Sequence, residues 1–221
     1  MKKDPTERLL YRIANITLSF LMINFWFLLT NIFFMISVLV LEPQMENILF
    51  YIISLIPTGP ALAACFASMD QFLQDGDINA TRTFFSNYKK NFKSSCMYWL
   101  SQLFLILIFS FNSIYIRENT TLSFLLPLLL ALFACILLTN LYAFPLLTRY
   151  HITLKNLWII SMISLYKYWY QTLLNLFIVA AFIFLFFQYP LVITFSFASV
   201  MPYLLMYNLR NVLKEIGENY Q

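Results

Sequence analysis

Six apolar stretches of this 221-residue chain carry no Asp, Glu, Lys, Arg or His. They cover residues 13–41, 48–69, 95–116, 122–147, 169–187 and 191–207. Each approaches or exceeds the roughly 20 residues that a helix needs to cross a bilayer core. Inside hydrocarbon every backbone N–H and C=O must find a partner within the protein, which leaves only helices and closed barrels. The runs are far longer than barrel strands, so the expected fold is all-α: a polytopic bundle of six transmembrane helices. The first and fourth runs are the longest and should tilt or project beyond the hydrocarbon.

Charge placement orients the bundle. Of the 14 basic residues, Lys2, Lys3, Arg8 and Arg12 precede the first run, and Arg82, Lys89, Lys90 and Lys93 lie between the second and third. Arg149, Lys155 and Lys167 lie between the fourth and fifth, Arg210 and Lys214 follow the last, and only Arg117 departs from the alternation. Short loops rich in Lys and Arg stay cytoplasmic during insertion. Both termini are therefore expected in the cytoplasm. The tyrosines and tryptophans Tyr98, Trp99, Trp158, Tyr168, Trp169, Tyr170, Tyr203 and Tyr207 are expected at the inner interface, as an aromatic belt.

Composition excludes several classes. The chain is 61% hydrophobic and 11% charged, with mean hydropathy +0.74, against about 25% charged residues in ordinary globular domains. The net charge of +4 then describes edges facing anionic lipid, not a nucleic-acid groove. Cys65, Cys96 and Cys135 have no paired spacing, so neither a disulfide framework nor a zinc site is suggested. The first apolar run is too long for the core of a cleavable signal. The whole chain, 1–221, reads as one integral membrane domain.

Local chemistry is sparse. Two prolines flank Gly59 in Pro57-Thr58-Gly59-Pro60, and should break the second span into halves. Such a break is either a hinge or a ligand contact, because broken membrane helices expose backbone ends to substrates. Asn24 and Asn31, seven residues apart on the first span, are either interhelical glue or part of a polar path towards that break. Gly59, Ala63 and Ala67 form a small-residue run suited to close helix packing, and Ala64 with Ser68 forms another. Gly76 marks a turn, and Gly217 is expected at a helix C-cap.

Two connections are expected to be amphipathic helices on the inner membrane surface. In residues 83–94, Phe84, Tyr88 and Phe92 recur every fourth position with Phe85 beside them, bordered by Lys89, Lys90 and Lys93. In residues 149–167, Leu154, Trp158, Ser161 and Leu165 share a face. Each is either a lipid anchor or a docking surface for a partner. The sequence around Tyr98-Trp99 echoes that around Tyr168-Trp169, which suggests a weak parallel repeat.

No ionisable residue lies inside a span, which disfavours proton-coupled transport. His151 has no metal-ligand partner at helical spacing, Asp70, Asp75 and Asp77 are explained by a turn, and no hydrolase or nucleotide-binding motif occurs. No catalytic residue, metal or cofactor is expected. A membrane enzyme is the least favoured reading.

The segment Gly59-Pro60-Ala61, then Phe84-Phe85-Ser86-Asn87-Tyr88-Lys89-Lys90-Asn91-Phe92-Lys93, resembles the YesL-like bacterial membrane proteins, a family defined by a domain of unknown function. Tyr142-Ala143-Phe144-Pro145-Leu146-Leu147-Thr148-Arg149-Tyr150 is similar to a later stretch of that family, so the resemblance covers most of the chain. Pro57 stands where members usually carry threonine, and Thr58 follows. The resemblance implies a bacterial plasma-membrane protein. It also implies a non-enzymatic accessory role beside a carbohydrate ABC importer, with its permease or ATPase subunits as partners. The alternative is a sugar facilitator with its site at the broken second helix.

A phosphatase fused after Glu42 should be active, and a C-terminal reporter should work only in the cytoplasm. The reverse result at either position would overturn the six-span orientation.

Overall fold

The computed structural model describes residues 5–118 and 124–220. Lys2, Lys3, residues 119–123 of the third connection and the side chains of Arg8, Arg12 and Arg117 lie outside the described set. The described chain is all-α, with no strand among the described residues. Its helices are α1 (Pro5–Thr30), α2 (Ile32–Val40), α3 (Ile48–Ser54), α4 (Thr58–Asp75), α5 (Ala80–Glu118) and α6 (Leu126–Leu138). They continue with α7 (Asn140–Arg149), α8 (Leu154–Lys167), α9 (Trp169–Gln188), α10 (Pro190–Thr194) and α11 (Phe197–Tyr220).

Five segments are long and apolar enough to cross a membrane: Ile13–Thr30, Ile48–Asp75, Ala80–Ser113, Leu126–Arg149 and Trp169–Gln188. The sixth expected span, residues 191–207, is not one helix. It divides at Phe195-Ser196, and α11 then runs on past Arg210 and Lys214. The return pass is nevertheless antiparallel to α9: the Phe182 and Phe197 rings lie 6.3 Å apart, and Asn208 donates to the Gln171 carbonyl at 3.2 Å. Polar contacts then gather the start of α1 and the ends of α4, α7, α8 and α11 at one end of the bundle. These are Asn15 with Asp77, Asp70 with Arg149, Tyr150 with the Leu213 carbonyl, and Lys167 with Glu215.

The second span is interrupted over residues 55–57, earlier than the Pro57–Pro60 window. Pro60 itself lies in the first turn of α4, where a missing N–H costs nothing. The segment over residues 83–94 is not a separate surface helix. It is the first part of α5, a 39-residue helix without Gly or Pro, so nothing in its sequence stops it. At about 1.5 Å per residue it extends some 58 Å, nearly twice a bilayer core. Its buried stripe is Phe84, Asn91, Ser95, Tyr98 and Gln102, whereas Phe85 and Phe92 are exposed. The three rings touch in series, but the repeat drifts by about 40° per step on a 3.6-residue helix, so the neighbours that cover Phe84 leave Phe92 at the edge of the buried stripe.

The core centres on α4, which packs against α1, α5, α7 and α11. One side, with Ala63 and Phe66, meets Tyr98, Phe144, Leu157, Met206 and Leu209. The other, with Ala64, Cys65 and Met69, meets Ile23, Phe84 and Ala198. Short side chains let so many neighbours approach one helix. Gly59 is the tightest point: a Cβ there would overlap Cβ and Cγ of Trp99. Of the small-residue run, Gly59 and Ala63 are buried and Ala67 only half-buried, while Ala64 and Ser68 are fully buried.

Three further expectations are corrected. Gly217 is not a C-cap; it lies within α11, where the Tyr150 ring packs against its Cα. Tyr98 is buried in the core, and Trp99 and Trp158 are packed against it; Tyr203 is packed against the second cluster. Tyr168 is buried as well, and of the expected belt Trp169, Tyr170 and Tyr207 are exposed. Tyr98-Trp99 and Tyr168-Trp169 therefore occupy dissimilar settings, the first inside a continuous helix and the second at a helix start, with Trp169 exposed. On α8 the buried residues are Leu157, Ile160, Ser161 and Ser164, with Leu154, Trp158 and Leu165 partly covered.

Gly59→Val should push α5 off α4 and lower stability by about 1–3 kcal/mol, the usual overpacking range. Thermal unfolding in detergent should show the loss, and Ala67→Val should show much less.

Candidate functional site

A helix break leaves carbonyls at one end and N–H groups at the next without partners. In an apolar setting each unmet group is costly. Here five breaks fall within or beside apolar segments, and a side chain from elsewhere, or from the break itself, meets the groups at each.

Asn31 is the break between α1 and α2. Its Nδ2 donates to the Phe27 carbonyl at 2.8 Å, and its Oδ1 accepts the Thr58 hydroxyl at 2.6 Å. The break before α4 is thus tied to the first one. The Leu55 carbonyl at the same break accepts the Thr58 backbone N–H at 3.1 Å and the Trp99 indole N–H at 2.8 Å. Asn31, Pro57, Thr58 and Gly59 do come together, as the sequence suggested, but their polar atoms bond one another and Trp99. Asn24 lies elsewhere. Its Nδ2 donates to the Thr194 carbonyl at 2.9 Å and its Oδ1 accepts the Ala198 N–H at 2.8 Å. One amide side chain thereby bridges the α10–α11 break, which sequence reasoning missed.

The remaining two breaks are held by tyrosines. Thr139, between α6 and α7, bonds Tyr98 Oη at 3.0 Å, and Gln102 Nε2 reaches both at 2.8 and 3.1 Å. All three are fully buried. Tyr142 Oη donates to the Tyr168 carbonyl at 3.2 Å and bonds Thr172 at 2.8 Å, holding the one-residue joint between α8 and α9. Tyr98 and Gln102 stand one turn apart on the same face of α5. That spacing is the one signal from which this cluster could have been read.

A buried ion pair joins α4 to α7. Arg149 Nε donates to Asp70 Oδ2 at 2.7 Å and Arg149 Nη2 to Asp70 Oδ1, a fork-on-carboxylate geometry, with Gln74 Nε2 on Oδ2 at 3.1 Å. Asp70 is 6% exposed. The sequence reading placed it with Asp75 and Asp77 in a turn; only the fold brings it to Arg149. The second pair, Lys167 Nζ to Glu215 Oε1 at 2.8 Å, is exposed. The hydrogen bond to Glu215 holds the Lys167 ammonium above the usual lysine range, and the same bond holds Glu215 below the usual carboxylate range. Glu215 therefore favours the fold above the ordinary glutamate range and loses that contribution as pH falls through its lowered value. Lys167 keeps its contribution until strongly alkaline pH.

The docking residues divide. Phe84 is fully buried against Ile23, Ala64 and Met69. Phe85, Lys89, Lys90, Phe92 and Lys93 are exposed along the first half of α5, with Tyr88 half-buried between the Phe84 and Phe92 rings. Trp26 of α1 anchors the start of this face through Thr81 at 3.0 Å and the Phe85 ring at 4.8 Å. Among the described residues no group of three His, Cys, Asp or Glu could hold a metal ion.

Residues 20–113 match the family described as a protein of unknown function, DUF624. The match takes in Asn24, Asn31, the α3–α4 break and the whole basic face of α5, and stops before Tyr142–Tyr150. No curated protein and no solved structure matches the chain.

Arg149→Ala should cost about 3–5 kcal/mol, because it strands a buried carboxylate, and Asp70→Ala should cost a similar amount. The double variant should lose clearly less than the sum of the two. Unfolding midpoints of the four proteins in one detergent check this.

Proposed function

We propose that this chain is a YesL-like, non-enzymatic accessory or scaffold protein of a bacterial plasma membrane, with both termini cytoplasmic. In this reading it binds a carbohydrate ABC importer through the permease or ATPase subunits. The observation that carries the scaffold role is a contrast between two sets of residues. At the breaks that could have bound a solute, backbone carbonyls accept from Asn24, Asn31, Trp99 and Tyr142, and the Thr58 and Tyr98 hydroxyls are taken up by Asn31 and Thr139. The exposed face of Phe85, Lys89, Lys90, Phe92 and Lys93 has no such internal use. A facilitator needs polar groups turned to a path, and closed breaks weigh against one at Pro57–Pro60. The importer itself is drawn from the family resemblance.

Phe84 cannot test docking. Its truncation removes a buried ring, which costs about 3–5 kcal/mol and disturbs the fold. Phe85→Ala with Phe92→Ala, both exposed, should release the partner with only a modest fall in melting temperature from the lost ring contacts with Trp26 and Tyr88. Lys89, Lys90 and Lys93 all changed to Glu should remove roughly 3 kcal/mol of attraction to an acidic partner or anionic lipid, at about 1 kcal/mol per charge. Purification in mild detergent followed by mass spectrometry reads both. Stoichiometric importer subunits with the wild type, absent with the double alanine variant, are expected. A pure homo-oligomer that passes sugar in liposomes would replace this reading with the facilitator.

A further inference from the structure

We propose that the groove between α1, α9 and α10 is a binding site for one acyl chain of a membrane lipid. The inference rests on the chain lying in a bilayer and is independent of the scaffold role. The groove has a volume of about 340 Å³ and is lined chiefly by Phe27, Leu28, Phe182, Phe186, Ile193 and Phe197. Ligand sites between bundle helices have this size and this aromatic character. That is many times the roughly 10–15 Å³ of the same measure that a single water needs, and leaves room for a run of several methylenes.

Its chemistry selects an apolar occupant. The one hydroxyl in the lining, on Thr194, donates to the Pro190 carbonyl at 2.7 Å. The Thr194 carbonyl accepts the Asn24 amide. A sugar or peptide would find nothing to bond. The groove is continuous with the outward face of α9, where Ile183, Phe184 and Phe187 are exposed, so a lipid chain enters it sideways from the bilayer. Position assigns the leaflet. The α9 helix starts beside the Lys167–Glu215 pair, and the groove lies along its second half. The chain therefore comes from the leaflet opposite the basic end.

Head-group indifference follows. None of the residues lining the groove is charged, and no charged residue occurs between Lys167 and Arg210 or in residues 13–41, so the lining itself offers nothing to sort head groups. Occupancy should depend on the chain and not on salt or head-group charge. The walls are fixed, because Asn24 clamps α10 and α11 to α1 and the Phe182 and Phe197 rings meet edge to face. A preformed concave wall touches more of a chain than a convex helix face does, and contact area is what drives association inside lipid.

The test uses the full chain in phosphatidylcholine vesicles doped with a phosphatidylcholine carrying a diazirine in its acyl tail. After photolysis, label should concentrate on Phe27, Leu28 and residues 179–197, at least about three-fold above the exposed face of α6. Ile183→Trp and Leu28→Trp, from opposite walls, should each remove most of that excess without changing α6 labelling. A thermal melt checks each variant, and one that remains folded suffices. Phosphatidylglycerol with the same tail should label equally at low and high salt. Even labelling of α6 and α9, or an excess that survives the tryptophan in a folded variant, would reduce the groove to ordinary lipid contact and overturn the site. Labelling confined to the anionic lipid would overturn it as well.

Discussion

The requirement that no backbone polar group be left unpaired in an apolar surround governs this structure. A membrane bundle made of unbroken helices meets it automatically. This chain has breaks at Asn31, residues 55–57, Thr139, Tyr168 and Phe195-Ser196, where the regular helical bonding is interrupted or thinned; at Phe27, Leu55 and Tyr168 the carbonyls keep a backbone N–H and gain a side-chain donor as well. Asn24 alone supplies both an N–H and a C=O to the α10–α11 break. A single amide serves there as a replacement for two backbone partners. Asn31 bonds the Phe27 carbonyl at its own break and the Thr58 hydroxyl at the next, and so ties the two together. Because each clamp comes from α1, α5 or α7, or from the break itself, the breaks also fix how neighbouring helices sit.

The position of α4 follows from the same economy of space. Four helices surround it, which is feasible only because Gly59, Ala61, Ala63, Ala64 and Ser68 present little side chain. Trp99 lies directly over Gly59, and its ring nitrogen is thereby brought to the Leu55 carbonyl. Packing and polar satisfaction are then one event: the glycine that admits the ring also lets the ring close the break. Near the charged end, where side chains lengthen, the contact between α4 and α7 changes from close packing to the Asp70–Arg149 pair. Partners removed singly are costly there because the site is shielded from water.

This bears on how the chain can act. A transport path requires polar groups free to exchange partners, whereas the clamps are short and mutual, and Tyr98, Gln102 and Thr139 have no exposed surface. The surfaces left open include the basic, aromatic first half of α5, the charged outer faces of α8 and α11 with Lys155, Arg210 and Lys214, and apolar helix faces such as α6, which has no buried residue. The α5 face suits recognition by charge and ring contact, and the apolar faces suit lipid. We therefore read the molecule as a rigid bundle whose interactions lie on its outside.

The helices themselves were legible in the sequence, because apolar runs without charge admit little else in a bilayer. The turn at Gly76, with φ of +74°, was legible for the same kind of local reason. So was a break near Pro57, since proline removes a backbone donor wherever the chain goes. The α10–α11 break carries no such mark: Phe195 and Ser196 are ordinary helix residues, and the break persists because Asn24, some 170 positions away, satisfies it. The aromatic repeat of Phe84, Tyr88 and Phe92 misled for a related reason. Local spacing shows which residues lie near one another on a helix, but burial depends on which neighbour arrives, and α4 covers Phe84 while leaving Phe92 open. Asp70 and Arg149 are the clearest case. Each looked like a loop charge beside an apolar run, and only the fold, which sets α4 and α7 side by side and running the same way, with Phe66 on Phe144 and Asp70 on Arg149, makes them a pair. Sequence by itself determined what each segment is, through hydropathy and the missing N–H of proline. Tertiary structure decided which polar group answers which, because that depends on distances between residues the chain separates widely.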